Sequence, residues 1–213
     1  MLTVHHLGKS QSERIVWLCE ELEIPYELKV YTRDAVTMLA PPEYKALHPL
    51  GIAPVITEGD LVLGESGAIM EYIIWTHGGG RLGFAPGQAH YPQYLFWMHM
   101  ANGTLMSAEI FRMYAPYFMG IDKSPAAHSI MSRADRIYEM IDATLAEAEY
   151  LVGDSFSAAD IINLFPLTTM RAFVPRDLSA YPHILAYLKR MGARPAYRRA
   201  MAKGDPGMKL MLE

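Results

Sequence analysis

The sequence predicts two successive parts, an α/β part at the N-terminal end and an all-α part, a helical bundle, behind it. Three observations predict this. Residues 2–31 read as strand, helix and strand, and residues 53–76 read as a hairpin followed by a helix. Beyond a glycine- and proline-rich stretch only helical periodicity remains. The expected boundaries are 1–78 for the first domain, 79–90 for a linker and 91–213 for the helical domain.

Leu2-Thr3-Val4-His5-His6-Leu7 is a short strand, and Gly8 to Gln11 form a turn. From Ser12, Ile15, Val16, Leu18, Cys19 and Leu22 recur at helical spacing, with Glu20 and Glu21 off that stripe. Ile24-Pro25 stops the helix, because a residue before proline avoids helical dihedrals. Tyr26 to Tyr31 is a second strand, which a right-handed crossover makes parallel to the first. Residues 34–47 are polar with two prolines, an irregular stretch or a short helix. Ala53-Pro54-Val55-Ile56-Thr57 is a strand opening on proline, which suits a sheet edge. Glu58-Gly59-Asp60 turns the chain back into Leu61-Val62-Leu63. Ser66 then precedes a helix with Ile69, Met70, Ile73 and Ile74 on one side. β-α-β followed by β-β-α is the order of a thioredoxin-like domain.

In residues 78–90 glycine and proline dominate and the periodicity stops. Residues 92–118 then read as one long, methionine-rich helix. Residues 125–149 carry Ile130, Ala134, Ile137, Ile141, Leu145 and Ala148 on one stripe. Ser157 caps the next helix while Asp160 reaches back to it. Shorter helices follow near 182–191 and 195–202, and Gly204-Asp205-Pro206-Gly207 makes the tail irregular.

Composition narrows the function. The 213 residues are 51% hydrophobic with a net charge of −4 and no Lys/Arg-rich run, which points away from nucleic acid as a partner. Each apolar stretch is broken by Arg, Glu, Asp, His or Gly before it can span a bilayer. The first residues lack a charged segment leading into an apolar one, so a cytoplasmic location is expected. A single cysteine, Cys19, rules out an intrachain disulfide, a Cys-x-x-Cys redox pair and a cysteine-based zinc site. His5 and His6 point to opposite faces of a strand and cannot chelate one ion, so no metal is expected. Any thiol chemistry must draw its thiol from a ligand.

Four segments resemble the glutathione transferase family, in its cytosolic bacterial and fungal serine-type branch. Ser10-Gln11-Ser12-Glu13-Arg14-Ile15-Val16-Trp17 is similar to the first helix of those proteins. His48-Pro49-Leu50-Gly51-Ile52-Ala53-Pro54-Val55-Ile56 resembles the loop carrying their cis-proline. Glu65-Ser66-Gly67-Ala68-Ile69 resembles the motif holding the γ-glutamyl end of glutathione, and Phe156-Ser157-Ala158-Ala159-Asp160 resembles the cap of their buried helix.

The resemblance implies glutathione as co-substrate, conjugation of its thiolate to a small hydrophobic electrophile, a role in detoxification, and a homodimer. It equally embraces glutathione-dependent disulfide or peroxide reductases and non-catalytic interaction modules. In serine-type relatives a serine four residues before the helix arginine donates to the glutathione sulfur, and Ser10 holds that offset from Arg14. A free thiol has a pKa of about 8.5, so a hydroxyl donor and a helix N-terminus both favour the thiolate. The same residues also read locally: Ser10-x-x-Glu13 is a capping box, and Ser12 is an ordinary N-cap or a second candidate for the sulfur contact. Where tyrosine-type relatives place their tyrosine, this chain has His5-His6-Leu7.

Glu65 and Ser66 suit a zwitterionic γ-glutamyl end, the carboxylate going to the helix N-terminus and the ammonium to Glu65. A cis Ala53–Pro54 bond would turn the Ala53 backbone toward the cysteinyl amide. Many relatives have Lys or Gln two residues before that proline, and here the residue is Ile52, which offers only its backbone. Lys45 or His48 then falls to the glycyl carboxylate. Cys19, on the apolar stripe, reads as a core residue. Met98, Met100, Met106 and Met113, with Phe111, Tyr114 and Tyr117, read mostly as core, some lining an electrophile pocket.

Overall fold

The computed structural model describes residues 1–117 and 124–213. By packing, the chain forms two compact units, Met1–Ala85 with Gly192–Leu210, and Pro86–Met191 with Met211–Glu213.

The first unit is built on a four-stranded sheet, β1 (Thr3–Leu7), β2 (Glu27–Tyr31), β3 (Val55–Glu58) and β4 (Leu61–Gly64), in the order β2-β1-β3-β4. β1 runs parallel to β2 and antiparallel to β3, with His6 opposite Val30 and His5 opposite Val55. β3 is therefore an interior strand, not an edge. Pro54 is tolerated because it precedes Val55, the first residue of the ladder. The Ala53–Pro54 bond is cis. Three helices accompany the sheet, α1 (Glu13–Leu22), the single-turn α2 (Pro42–Lys45) and α3 (Ser66–Thr76). α1 ends on Glu23 in a left-handed conformation, just ahead of Ile24-Pro25.

The second unit is helical: α4 (Tyr91–Met100), α5 (Ser107–Tyr114), α6 (Pro125–Glu147), α7 (Ala158–Leu167) and most of α8 (Pro182–Ala193). The single rod read over 92–118 is broken. A π-helical stretch, Ala101–Met106, separates α4 from α5, and Ala115–Tyr117 tightens into a 3₁₀ turn. Asn102, Gly103 and Thr104 are weak helix formers at that point. The end at residue 118 lies outside the described residues. Ser124 caps α6 by accepting the Ala127 N–H at 3.1 Å. All ten residues of α7 are buried, and Ser157 and Asp160 form the expected capping box. Among the described residues, no helix is long and apolar enough to cross a membrane.

The packing also groups part of the tail differently from its order in sequence. Gly192–Leu210, with α9 (Pro195–Gly204), groups with the first unit and not with the helices before it. The reason lies on the polar side of α1. Glu20 and Glu21, off the apolar stripe, are covered by α9: Arg199 and Lys203 meet the Glu20 carboxylate, and Arg194 grips Glu21 at 2.6 and 2.9 Å. Trp17 meets the edge of the Tyr197 ring at 4.9 Å between centroids. Burial would raise the Glu20 carboxyl, but hydrogen bonds from Lys203, Tyr26 and Arg199 outweigh it and hold it below its usual 4.5. A depressed carboxyl contributes stability above its unfolded pKa and loses it as pH falls through the folded one. Below about pH 4.5 the α9 segment is therefore expected to loosen, read as faster limited proteolysis after residue 192. Glu20→Gln should remove that acid step and leave the segment equally susceptible at both ends of the range.

Candidate functional site

The turn between β1 and α1 carries a chain of hydrogen-bonded side chains. Ser10 Oγ lies 2.7 Å from Ser12 Oγ, Ser12 Oγ lies 2.9 Å from His6 Nδ1, and His6 Nε2 lies 3.1 Å from Asp205 Oδ2. Ser12 and His6 are 0% exposed, and Ser10, at 5%, is the outer end of the series. Backbone groups fix it: Ser10 Oγ accepts the Ser12 N–H at 3.2 Å, and Ser12 Oγ accepts the Leu7 N–H at 3.1 Å. Asp205 also accepts the Lys9 N–H, on Oδ1 at 2.9 Å. Burial would raise the Asp205 carboxyl, yet the hydrogen bonds from His6 and from the Lys9 N–H hold it below its usual value.

This arrangement decides the local alternatives. Ser12 stands at the N-cap position but in helical conformation, with no capping bond from its side chain. Its hydroxyl is turned inward to Leu7, His6 and Ser10 instead. The Glu13 N–H is taken by the Ser10 carbonyl at 3.1 Å, which leaves the Ser10 hydroxyl to the Ser12 amide and hydroxyl.

Arg14 links the start of α1 to the start of α3. It is buried, and Nη1 donates to Gln11 Oε1 and, at 3.2 Å, to Ser66 Oγ. Burial draws its guanidinium down to about 9, opposed by Glu13. Ser66 is itself buried and opens α3. Glu65, just before it, is exposed and holds φ = 70°, a left-handed conformation that strains a residue with a side chain. Such strain persists only where the surroundings impose it. Here it turns the chain from β4 into α3 and sets a carboxylate beside a helix N-terminus.

The remaining expected residues frame the loop before β3. Ala53 packs on a cluster of Leu7, Tyr44 and Val55, and the Tyr44 hydroxyl donates to the His5 carbonyl at 3.2 Å. The His48 ring lies over Gly64, where a Cβ would sit 3.4 Å from its Cε1, and its Nδ1 accepts the Leu50 N–H. Lys45 is exposed, with its aliphatic stem against Gly51. Ile52 is 57% exposed. Cys19 is buried, and burial with the neighbouring Glu20 pushes its thiol far up. His5 faces away from His6, toward the Tyr31 hydroxyl and Thr57 Oγ1. Among the described residues, no group of three or more His, Cys, Asp or Glu could hold a metal ion.

Comparison with known proteins fits this geometry. The family model for the Glutathione S-transferase N-terminal domain matches residues 10–74, and that for the C-terminal domain matches residues 105–195. The chain belongs to the glutathione transferase family. Glutathione S-transferase 3 of Schizosaccharomyces pombe is 32% identical, the match covering 95% of this chain and 88% of that protein. A crystal structure of a glutathione S-transferase from Actinobacillus pleuropneumoniae has a TM-score of 0.87 at 32% identity, covering 96% of this chain and 93% of that one. A sphingomonad glutathione S-transferase, solved in complex with glutathione, shares the fold at a TM-score of 0.74 and 22% identity, covering 94% and 98%.

Two members of the site escaped the sequence reading. In the sequence His6 reads as a strand residue that cannot share an ion with His5 and that stands where tyrosine-type relatives place their tyrosine. Asp205 lies 199 residues from His6 in a tail read as irregular. A lone Asp in a Gly-Asp-Pro-Gly turn carries no local signal of such a partner.

Proposed function

We propose that this chain is a glutathione transferase that binds glutathione on its first unit and conjugates the thiolate to a small hydrophobic electrophile. The observation that carries this reading is Ser10. Its hydroxyl is the outer end of a buried hydrogen-bonded series at the start of α1, where a donor and the helix N-terminus both favour a thiolate. The γ-glutamyl carboxylate goes to the N-terminus of α3, with Ser66 adding a hydroxyl that Arg14 orients. The γ-glutamyl ammonium goes to Glu65. The Ala53 backbone takes the cysteinyl amide, and His48 or Lys45 takes the glycyl carboxylate. The reactive sulfur is the ligand's, because the protein's own thiol is buried and held protonated.

The test pairs calorimetry of glutathione binding with two assays, conjugation to 1-chloro-2,4-dinitrobenzene and reduction of 2-hydroxyethyl disulfide. Binding with conjugation supports the transferase. Binding with disulfide reduction alone would replace it by a glutathione-dependent reductase, and no binding would leave a non-catalytic module. Sedimentation of the same sample reads whether two copies pair, as the resemblance implies.

A further inference from the structure

We infer that His6 and Asp205 are positioning residues acting through Ser12 and Ser10, His6 receiving the proton of the bound thiol and Asp205 supplying its counter-charge. This rests on the transferase reading and adds to it the fate of the proton.

The hydrogen-bond directions carry the inference. Asp205 is ionised and accepts on both oxygens, so His6 Nε2 must carry a proton to meet Oδ2. A neutral His6 therefore has a bare Nδ1, which accepts from the Ser12 hydroxyl. Ser12 has one proton and two acceptors in reach, His6 Nδ1 at 2.9 Å and the Leu7 carbonyl at 3.3 Å; with the proton on the shorter bond to His6, its oxygen accepts from Leu7 N–H and from the Ser10 hydroxyl. In this state the Ser10 proton points inward and its oxygen is left to accept. That is the correct polarity for an incoming S–H and the wrong one for a thiolate.

Shifting each proton one bond inward reverses the series. The thiol gives its proton to Ser10 Oγ, Ser10 gives its own to Ser12 Oγ, and Ser12 gives its own to His6 Nδ1. The products are a thiolate and an imidazolium. Each O–H broken is replaced by one formed on the same oxygen, and the electron pair of the S–H bond stays on sulfur. His6 then donates from Nδ1 to Ser12 and from Nε2 to the Asp205 carboxylate, and Ser10 donates outward to the thiolate. A serine hydroxyl alone could donate to a thiolate but would give the thiol proton nowhere to go. The buried pair behind it supplies both the proton's destination and the reversal of direction.

The groups around His6 leave Asp205 as its counter-charge. Lys9 reaches Asp205 through its backbone N–H and also through its charge, and Gly204 packs on the ring without charge. On its own strand, His5 bonds Tyr31 and Thr57 across the sheet. On α1, Glu20 is held by Tyr26, Arg199 and Lys203, and Arg14 bonds Gln11 and Ser66.

The experiment titrates the ultraviolet thiolate band of glutathione bound to the intact protein and to two variants. His6→Asn keeps a polar group facing Ser12 but cannot take the proton. Asp205→Asn keeps an acceptor for Lys9 and removes the counter-charge. The expected result is a rise in the bound-thiol pKa by about one unit or more in each, hence about tenfold less thiolate at neutral pH. The pH profile of kcat/KM should move by the same amount, while affinity for S-methylglutathione, which has no thiol proton, stays the same. An unchanged thiol titration in a variant that still binds S-methylglutathione would overturn the inference. If one variant does not fold, the other decides. If the parent protein binds neither glutathione nor S-methylglutathione, it is the transferase reading that fails.

Discussion

Asp160→Ala is expected to lower the stability of the helical unit by about 3–5 kcal/mol, the scale for leaving several buried donors without their acceptor. Asp160 is 0% exposed. It accepts from Leu151 N–H at 3.0 Å, Ser157 N–H at 2.9 Å, the Ser157 hydroxyl at 3.3 Å and the Tyr187 hydroxyl at 3.1 Å. Alanine would leave these donors in a dry interior, each costing about 1–3 kcal/mol where no water can replace the carboxylate. It would also leave α7 without its capping box. Thermal melting should show the loss as a fall of about 10 °C or more.

The sign of the pH effect separates this carboxylate from Glu20. Burial, outweighing the four hydrogen bonds, raises the Asp160 carboxyl from 3.8 to about 6. The folded state thus binds this proton more tightly than the unfolded one. The group's contribution is complete below about pH 3.8 and declines as pH rises through about 6, by up to roughly 3 kcal/mol. Asp160→Asn does not titrate. Its stability deficit relative to the parent should therefore narrow between about pH 4 and pH 7, the opposite of the trend at Glu20.

The architecture was legible because its elements are short and strongly patterned. β1, α1 and β2 announce themselves by a strand, a 3.6-residue stripe and a proline stop, and the hairpin by Glu58-Gly59-Asp60. The α7 cap was legible because serine and aspartate three residues apart act within one turn. What failed to show depends on distant residues. Glu20 reads only as a residue off the apolar stripe until α9 brings Arg199 and Lys203 to it. Ser12 reads as a cap until His6 and Leu7 claim its hydroxyl. The π-helical break at Ala101–Met106 follows from hydrogen bonding that no apolar stripe reports. At the candidate site, the motif residues were visible locally. The network that orients the Ser10 hydroxyl was not, since its inner end comes from the far end of the chain.

Ser10→Ala is expected to lower kcat/KM for conjugation by about 100-fold, the scale for losing one preorganised donor to a developing anion. On the proposed reading Ser10 meets only the sulfur, so affinity for S-methylglutathione should hardly change. The loss should fall on kcat and on the thiol titration instead. Ser12→Ala gives a different pattern. It removes the acceptor of the buried Leu7 N–H and the link between Ser10 and His6, so stability falls by about 1–3 kcal/mol as well. In that variant Ser10 keeps a hydroxyl and can still donate to a thiolate, but no path remains for the thiol proton to reach His6. Conjugation should then recover as pH rises and bulk solvent takes the proton, whereas Ser10→Ala, whose thiolate has lost its donor, should recover only at a higher pH. The opposite order, with Ser12→Ala needing the higher pH to recover, would move the sulfur contact to Ser12. The burial of Ser12 argues against that outcome, because its hydroxyl is surrounded by protein partners while Ser10 ends the series.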